Sequence, residues 1–358
     1  MDGNGTPRRL RGRLGRCSTL AAGGAAMILT LGAAAAPSAH HDGITNHAGM
    51  LFGVSAVSNS DAWAVGQDGE ARTMMLRWNG TNWARSPLPR IPVSGLQAVS
   101  ATSSDDAWAV GAYGSEKTLV MRWDGTSWTK VAAPSPGTRI DDLNAVSALS
   151  PSDVWAVGMF GTYGKYQDLV LHWNGRRWAQ IPMPHPFAGG GELAGVVALS
   201  ANDVWAHDYG RVLHWNGTRW SVLLPPSADE VTGLAALSAT DAWVTTTNAR
   251  KMMLHWNGTS WARSPLPKPL GGLQAVSATS ADDAWAVGSY ASGVLQFLRW
   301  NGTRWTRMAG PAVPKSSSLD DVSASSASQA WAVGEYGTRT APGGVIILRW
   351  NGTSWTRS

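Results

Sequence analysis

Twenty-one tryptophans are spread along the 358-residue chain in seven sets of three. In each set the last two tryptophans stand five residues apart, and the first stands 10 to 19 residues before the second. The sets are Trp63/Trp78/Trp83, Trp108/Trp123/Trp128, Trp155/Trp173/Trp178, Trp205/Trp215/Trp220, Trp243/Trp256/Trp261, Trp285/Trp300/Trp305 and Trp331/Trp350/Trp355. Tryptophan is normally rare, and a repeat of 38 to 50 residues predicts a propeller or a similar array.

Each repeat contains four short segments with the alternation of apolar and polar residues that is typical of β-strands. In the sixth repeat these are GLQAVSATS, DAWAVGSY, VLQFLRW and TRWTRM, which we name strands a to d. Asn-Gly separates strands c and d in six repeats, and Asp124-Gly125 does so in the second, so we expect type I′ hairpin turns. Tandem four-stranded antiparallel units predict an all-β, seven-bladed β-propeller.

The turn between strands a and b is equally regular. A serine stands five residues before the first tryptophan of every repeat, as at Ser58, and an aspartate stands two before it in six repeats, as at Asp61. Gln329 replaces this aspartate in the seventh repeat. Serine and aspartate side chains hold turns by bonding local backbone groups. We therefore assign Ser58 and Asp61, with the tryptophans, to the scaffold rather than to catalysis.

The segments AWAVGAY and TLVMRWDGTSWTKVAAPSP resemble the kelch repeat, which also builds the central domain of galactose oxidase. The resemblance spans residues 53 to 358 and rests on an apolar strand ending in glycine, a Trp-Asp turn, a further tryptophan and a Pro-containing link. The kelch glycine doublet is reduced to one glycine, and blades four and five lack even that. The resemblance implies a propeller. It does not extend to copper chemistry, because the mature chain lacks the cysteine that the oxidase cross-links to its copper-bound tyrosine.

The first 39 residues have the pattern of a bacterial signal peptide. Five arginines precede a long Ala- and Gly-rich stretch that ends in small residues, and Arg8-Arg9 admits a twin-arginine route. We predict a signal peptide at 1–39, a linker or ring-closing segment at 40–52, and the propeller at 53–358. The predicted blades are 53–93, 94–141, 142–191, 192–231, 232–270, 271–317 and 318–358. The predicted location is extracellular, with no membrane association after cleavage.

Removal of this segment, which holds five arginines and one aspartate, reduces the formal net charge from +5 to about +1. The mature chain then has no strongly basic character, which argues against a nucleic-acid partner. The only cysteine, Cys17, leaves with the segment, so the mature chain has no disulfide and no thiolate ligand. We expect no cofactor.

The two faces of the predicted disc differ in sequence. The a–b and c–d turns, which nearly repeat, lie on one face, and the b–c loops and the d–a links lie on the other, which we call the variable-loop face. Variable loops on a rigid scaffold commonly bind ligands. The residues that depart most from the repeat predict a binding platform there: Tyr163, Tyr166, His185, His207, Asp208 and Tyr209.

A basic residue precedes the second tryptophan in every repeat. The seven are Arg77, Arg122, His172, His214, His255, Arg299 and Arg349. Strand alternation places this residue on the sheet face opposite that tryptophan, where we expect it to pair with an acid. The three histidines sit on separate blades, so a shared metal site is not expected.

Three classes of function remain open. The first is a secreted, non-catalytic binding protein that recognises a glycan, a cell-wall polymer or a protein. The second is an extracellular oxidase, lyase or hydrolase acting on carbohydrate through loop carboxylates, which are Glu70, Glu116, Asp168, Glu192, Asp208, Asp229 and Glu230. The third is a purely structural scaffold. No nucleophile, metal-binding or phosphate-binding motif favours the second class.

Overall fold

The computed structural model describes residues 48–358 except 92–93, 115, 184–190, 224–229, 248–251 and 339–340. Its strands form seven antiparallel sheets of four, arranged around a common axis, with no helix among the described residues. In each sheet the strands are hydrogen-bonded in chain order from a to d. The predicted seven-bladed propeller is confirmed.

Strands a and b form the inner half of each blade. The a strands are β1 (Gly49–Ser58), β5 (Ser94–Ser103), β9 (Ile140–Ser150), β13 (Gly195–Ser200), β17 (Val231–Ser238), β21 (Gly272–Ser280) and β25 (Ser317–Ser326). The b strands are β2 (Asp61–Asp68), β6 (Asp106–Tyr113), β10 (Asp153–Thr162), β14 (Asp203–His207), β18 (Asp241–Thr246), β22 (Asp283–Ser289) and β26 (Gln329–Thr338). The b strands are the most buried because neighbouring blades cover both of their faces.

Strands c and d form the outer half. The c strands are β3 (Thr73–Trp78), β7 (Lys117–Trp123), β11 (Lys165–Trp173), β15 (Val212–Trp215), β19 (Met253–Trp256), β23 (Leu295–Trp300) and β27 (Ala341–Trp350). The d strands are β4 (Trp83–Arg85), β8 (Trp128–Lys130), β12 (Trp178–Gln180), β16 (Trp220–Val222), β20 (Trp261–Ser264), β24 (Trp305–Met308) and β28 (Trp355–Arg357). The d strands are short, and in most of them the leading tryptophan is the only buried residue.

Tryptophans of neighbouring blades pack together at every interface. The first tryptophan of each blade contacts the second and third of the next blade, as Trp63 does with Trp123 and Trp128 at 5.1 Å between ring centroids. One of the two contacts is edge-to-face, which suits the quadrupoles of aromatic rings. Burial of an aromatic ring of this size is the largest hydrophobic contribution available to a side chain. The three tryptophans therefore join one blade to the next, and we call each such set a triad.

The same triad closes the ring. Trp331 of blade 7 packs on Trp78 and Trp83 of blade 1, with ring centroids 5.0 Å and 4.9 Å apart. A serine bridge between blades is repeated here too. Ser323 Oγ of blade 7 accepts the Ala56 amide of blade 1, just as Ser55 Oγ of blade 1 accepts the equivalent alanine amide of blade 2. Residues 49–52 belong to strand a of blade 1, and no strand is shared between blades 1 and 7 among the described residues. Side-chain contacts close this seam, through the packed tryptophans and through side-chain oxygens that accept backbone amides.

The c–d turns differ from the predicted type I′ turn. Trp78 pairs with Trp83, so four residues form the loop, and only Gly80 has a positive φ, at 95°. The Asn79 Oδ1 atom instead accepts hydrogen bonds from the Thr81 amide, the Thr81 hydroxyl and the Asn82 amide. The type I′ prediction is wrong because it required positive φ at both central residues. The asparagine acts through its side chain, and Asp124 does the same in blade 2.

The basic residue before the second tryptophan pairs with the turn aspartate. Arg77 donates to Asp61 at 2.9 Å and 3.2 Å, lies 4.8 Å above the Trp63 ring, and donates to the Ser104 carbonyl of the next blade. The predicted acid pairing is confirmed in six blades, and Arg77 also bridges two blades. In blade 7, Arg349 donates to the side-chain oxygen of Gln329 instead, because that blade has no turn aspartate. The turn serine bonds locally as expected, since Ser58 Oγ accepts the Ser60 amide. The aspartate differs from the expectation, because its main partner is this basic side chain.

The closing triad generates a stability prediction. We expect Trp331→Ala to lower the free energy of unfolding by about 3 to 5 kcal/mol, because it opens a cavity in a fully buried interface. The measurement is guanidinium denaturation followed by circular dichroism. Trp256→Ala is the matched control, since Trp256 is only half-buried and its ring lies 6.4 Å from Trp205. An equal or smaller loss for Trp331→Ala would show that the seam does not depend on its triad.

Candidate functional site

The predicted tyrosines of blade 3 lie on the variable-loop face. Tyr163 is the most exposed large apolar side chain of the described residues, at 65% exposure, and its hydroxyl donates to Glu116 Oε1 at 3.1 Å. That bond joins the b–c loops of blades 2 and 3. Tyr166 is half-buried on β11, and its carbonyl accepts the amide of Gly191 in the following link. Tyr163 is therefore the aromatic side chain that the face presents to solvent.

The predicted residues of blade 4 are mostly buried. His207 is 4% exposed and packs over Gly195, where a Cβ would come within 2.3 Å of its Nε2. Burial lowers the pKa of this imidazole, although the carbonyl and carboxylate of Asp208 act in the opposite direction. The lowered pKa favours a neutral ring. His207 is the predicted residue that lines the cavity on the propeller axis.

Asp208 is committed to contacts within the protein. Its carboxylate accepts the amides of Gly210 and Arg211 and the Arg211 guanidinium at 2.6 to 2.8 Å. Arg211 reaches onward to Asp168 of blade 3 at 3.1 Å. The carbonyl of Tyr209, which is half-buried, accepts the Val231 amide. These contacts hold blade 4 to its neighbours, and His185 lies outside the described residues.

A β-bulge recurs near the variable-loop end of strand a in six of the seven blades. There each of these strands skips one residue in its pairing with strand b, and a second irregularity lies beside the a–b turn of every blade. The bulged residues are Phe52, Gln97, Asn144, Thr232, Gln274 and Asp320. A bulge typically re-aims a side chain out of the regular pleat. All six residues line a cavity of about 360 Å³ on the propeller axis, and we call them the bulge ring.

The bulge ring is varied where the rest of the blade repeats. It combines one aromatic ring, three amides, a hydroxyl and a carboxylate, and Ala194 stands at the matching place in blade 4. Asn144 and Thr232 donate to carbonyls of the following blade, at 2.9 Å each. The side-chain amides of Gln97 and Gln274 have no hydrogen-bond partner among the residues described. Those two amides are available to a ligand in the cavity.

Three acidic side chains lie together where blades 2, 3 and 4 meet on the variable-loop face: Glu116, Asp142 and Glu192. We call this group the acidic corner. Burial raises the pKa of Asp142 to about 6 against the effect of the Leu143 amide, and Glu116 adds to the rise. Burial also raises the pKa of Glu192 to about 7, with Asp142 and Asp208 contributing. Among the described residues, no cation compensates the carboxyl of Asp142 or of Glu192.

The acidic corner lies beside the bulge ring. Asp142 comes two residues before Asn144 on β9, towards the end of the strand that faces the variable loops. Asn144 Nδ2 donates to the Leu193 carbonyl, which fixes the residue next to Glu192. The Leu193 amide donates to the Gly158 carbonyl and gives this segment a second anchor. The Asn144–Leu193 contact therefore places the acidic corner next to the bulge ring on the variable-loop face, although none of the three acids lines the axial cavity.

Neither the bulge ring nor Asp142 was predicted from the sequence. The signal was present as a variable position in strand a, directly after a leucine or valine and two residues before the Val-Ser of five repeats, as in LFGVS, LQAVS, LNAVS and LDDVS. Glu116 and Glu192 were included among the loop acids, and Asp142 replaces the Gly95 of blade 2. Each of His172, His214 and His255 bonds to the turn aspartate of its own blade. The described residues contain no group of three or more acidic, histidine or cysteine side chains suited to a metal ion.

The comparisons with known proteins support the fold alone. No family model and no curated protein matches the chain. Among solved structures, the chain is similar to YCF48 bound to a D1 peptide, with a TM-score of 0.54, 16% identity, and coverage of 75% of this chain and 82% of that one. It is also similar to virginiamycin B lyase from Staphylococcus aureus with quinupristin, with a TM-score of 0.63, 12% identity, and coverage of 82% of this chain and 94% of that one. A third similar structure is the WD40 propeller of Doa1, with a TM-score of 0.59, 13% identity, and coverage of 85% of this chain and 94% of that one.

In the described part of the chain, no helix has the length and apolar character that crossing a membrane requires. The described residues also provide no catalytic constellation beyond the carboxyls of the acidic corner. The geometry offers an axial cavity lined by two unpaired amides and the ring of Phe52, and, near it on the variable-loop face, two acids without a cation among the described residues. Such a set suits reversible binding of a polar ligand.

Asp321 generates a prediction on pH dependence. Its carboxylate accepts the Val54 and Val322 amides at the closing seam, yet burial raises its pKa to about 7. A raised pKa means that the folded state binds the proton more tightly than the unfolded state, so stability falls as the pH rises from about 4 to 7. We expect Asp321→Asn to gain melting temperature relative to the wild type as pH increases over that window.

Differential scanning calorimetry of both proteins between pH 4 and 8 measures this difference. The raised pKa values of Asp142 and Glu192 act in both proteins, so the difference between the two melting temperatures isolates Asp321. A constant offset can arise because an amide does not reproduce both carboxylate contacts. A difference that does not change with pH would contradict the prediction.

Proposed function

We propose that this protein is a secreted, non-catalytic binding propeller that recognises an extracellular glycan, cell-wall polymer or protein at the mouth of its axial cavity. The proposal includes export by the N-terminal segment and membership of the kelch-type repeats that its sequence resembles. The ligand contacts the variable-loop face and reaches the bulge ring. Neither nucleic acid nor a membrane is part of this proposal.

The bulge ring is the observation that carries the proposal. Scaffold positions repeat from blade to blade, whereas the bulged position holds phenylalanine, amides, threonine and aspartate in turn. A purely structural ring would not require unlike side chains at equivalent places. Gln97 and Gln274 each offer a donor and an acceptor to a ligand, and Phe52 offers an apolar surface beside them. This combination favours recognition of one polar ligand.

The solved propellers of the same fold are consistent with such a role. One is a complex with a D1 peptide, and another holds quinupristin. Their identity to this chain is too low to transfer a ligand, so they support only the idea that this architecture can carry a binding site. The ligand class must come from the side chains of this chain.

We expect the double variant Gln97→Ala/Gln274→Ala to lose at least about tenfold in affinity for a ligand identified with the full chain, because two hydrogen bonds are removed. The screen uses arrayed glycans, isolated cell-wall polymers and arrayed peptides, followed by calorimetric titration of the hits. Gln180→Ala, on the exposed outer strand β12, is the matched control and should leave affinity unchanged. A ligand bound equally by the double variant and the wild type would contradict the proposed site.

One observation favours the second class of function. The carboxyls of Asp142 and Glu192 lie near each other with raised pKa values, and a carboxyl with a pKa of about 7 suits a general acid. If the site hydrolyses a glycan, Glu192→Gln abolishes turnover while binding persists. A screen with chromogenic glycosides and cell-wall polysaccharides tests this, and absence of turnover by the wild type across that panel would leave binding as the function.

A further inference from the structure

The acidic side chains of the variable-loop face differ in whether the protein supplies them with a cation. Asp68 pairs with Arg72, and Asp168 and Asp208 share Arg211. Asp141, next to Asp142 in sequence, is buried and pairs with Lys117 at 2.8 Å. By contrast, the described charged groups that act on Asp142 and Glu192 are all acidic. Among the described residues, the protein thus pairs the loop acids around the acidic corner with cations and supplies none to Asp142 or Glu192.

Asp142 also has an unsatisfied acceptor. Its Oδ1 atom is buried and accepts no hydrogen bond in the described structure. A buried carboxylate oxygen without a donor is costly, and natural proteins rarely leave one in this state unless a water, an ion or a ligand completes it. This observation is independent of the negative charge and indicates a missing donor at the same place.

The surroundings of the corner suit a slender cationic group. Tyr163 is exposed, and its hydroxyl donates to Glu116, so this tyrosine stands next to the Glu116 member of the corner. A cation held between carboxylates and an aromatic face gains both charge-assisted hydrogen bonds and cation–π attraction. The axial cavity, whose lining residue Asn144 stands two residues after Asp142, is also lined by Phe52, Ala98 and Ala145, so an aliphatic stem that enters it has apolar surface to cover.

We propose that the ligand of this site is a polypeptide segment that places a lysine or arginine side chain against Asp142 and Glu192, beside Tyr163, while Gln97 and Gln274 bond its backbone. The inference rests on the proposed binding function and names its ligand class. The charge of lysine or arginine stands at the end of a narrow aliphatic stem that fits a half-buried corner. The amine of an amino sugar is attached directly to a bulkier sugar ring. The polypeptide is therefore favoured over a deacetylated glycan.

The test uses the full chain and a set of synthetic glycine-serine peptides that differ only at one central residue: lysine, arginine, norleucine or glutamate. Calorimetric titration at pH 7 and low salt should show binding of the lysine and arginine peptides and about tenfold weaker binding of the norleucine peptide. The Asp142→Asn/Glu192→Gln variant should lose this preference. Glu70→Gln, on the same face in blade 1, should retain it because Glu70 lies outside the corner.

A second readout does not depend on affinity. Because the carboxyls of Asp142 and Glu192 have raised pKa values, a bound cation should drive them to ionise and release protons near pH 6.5. Titration in two buffers of different ionisation enthalpy measures this release, which should vanish in the double variant. Circular dichroism and the melting temperature confirm that the variant is folded.

The outcomes separate this inference from the proposed function. If the lysine and norleucine peptides bind equally well and the Gln97→Ala/Gln274→Ala variant loses both, the requirement for a cationic ligand is overturned and the proposed binding site stands. Binding of a chitosan oligosaccharide but of no peptide would overturn the polypeptide and keep the cation. No binding of the lysine and arginine peptides up to millimolar concentration, or binding unchanged by the acidic-corner variant, would overturn the inference.

Discussion

The tryptophan triad between blades is the interaction on which the whole ring depends. Seven equivalent triads join seven blades, and the one that unites Trp331 with Trp78 and Trp83 replaces the shared strand that could otherwise close a ring. The arrangement has a cost, because the indole N–H groups of the first and third tryptophans of each blade have no acceptor in the described structure. Edge-to-face packing and the burial of large rings offset that cost. The second tryptophan avoids it by donating to the a–b turn, as Trp78 does to Asn59.

The triads are not equally tight. At the interfaces on either side of blade 4, the centroid of the first tryptophan ring lies 6.1 to 6.5 Å from those of the second and third tryptophans of the next blade. At the other interfaces the same distances are 4.8 to 5.5 Å. Blade 4 also has the shortest a and b strands, and a histidine at the place where an arginine elsewhere reaches the next blade. In compensation, Arg211 ties blade 4 to Asp168 of blade 3. The contacts of Asp208, which depart from the repeat, thus serve cohesion where the triads are weak.

The fold was predictable from the sequence because its determinants are local and repeated seven times. A tryptophan spacing and an alternating pattern are visible without knowledge of any contact. The side-chain role of Asn79 could not be predicted in the same way, because an Asn-Gly pair fits both a two-residue turn and the four-residue loop that the structure contains. The bulge ring was hidden for a related reason. A bulge shifts the strand pairing by one residue, so a periodic interpretation of LQAVS assigns Gln97 to a sheet face rather than to the cavity.

The acidic corner shows why the candidate site differs in kind from the scaffold. Asp142 and Glu192 carry raised pKa values, so as anions they oppose folding at neutral pH. The same chain pairs Asp61 with Arg77 and Asp141 with Lys117, which shows that its architecture can accommodate matched charges on both faces. Among the described residues, the lack of a cation beside Asp142 and Glu192 is therefore a local violation of the pattern rather than a general property of the fold. Proteins tend to tolerate such violations where a ligand completes the site, and the triads supply the stability that permits this one.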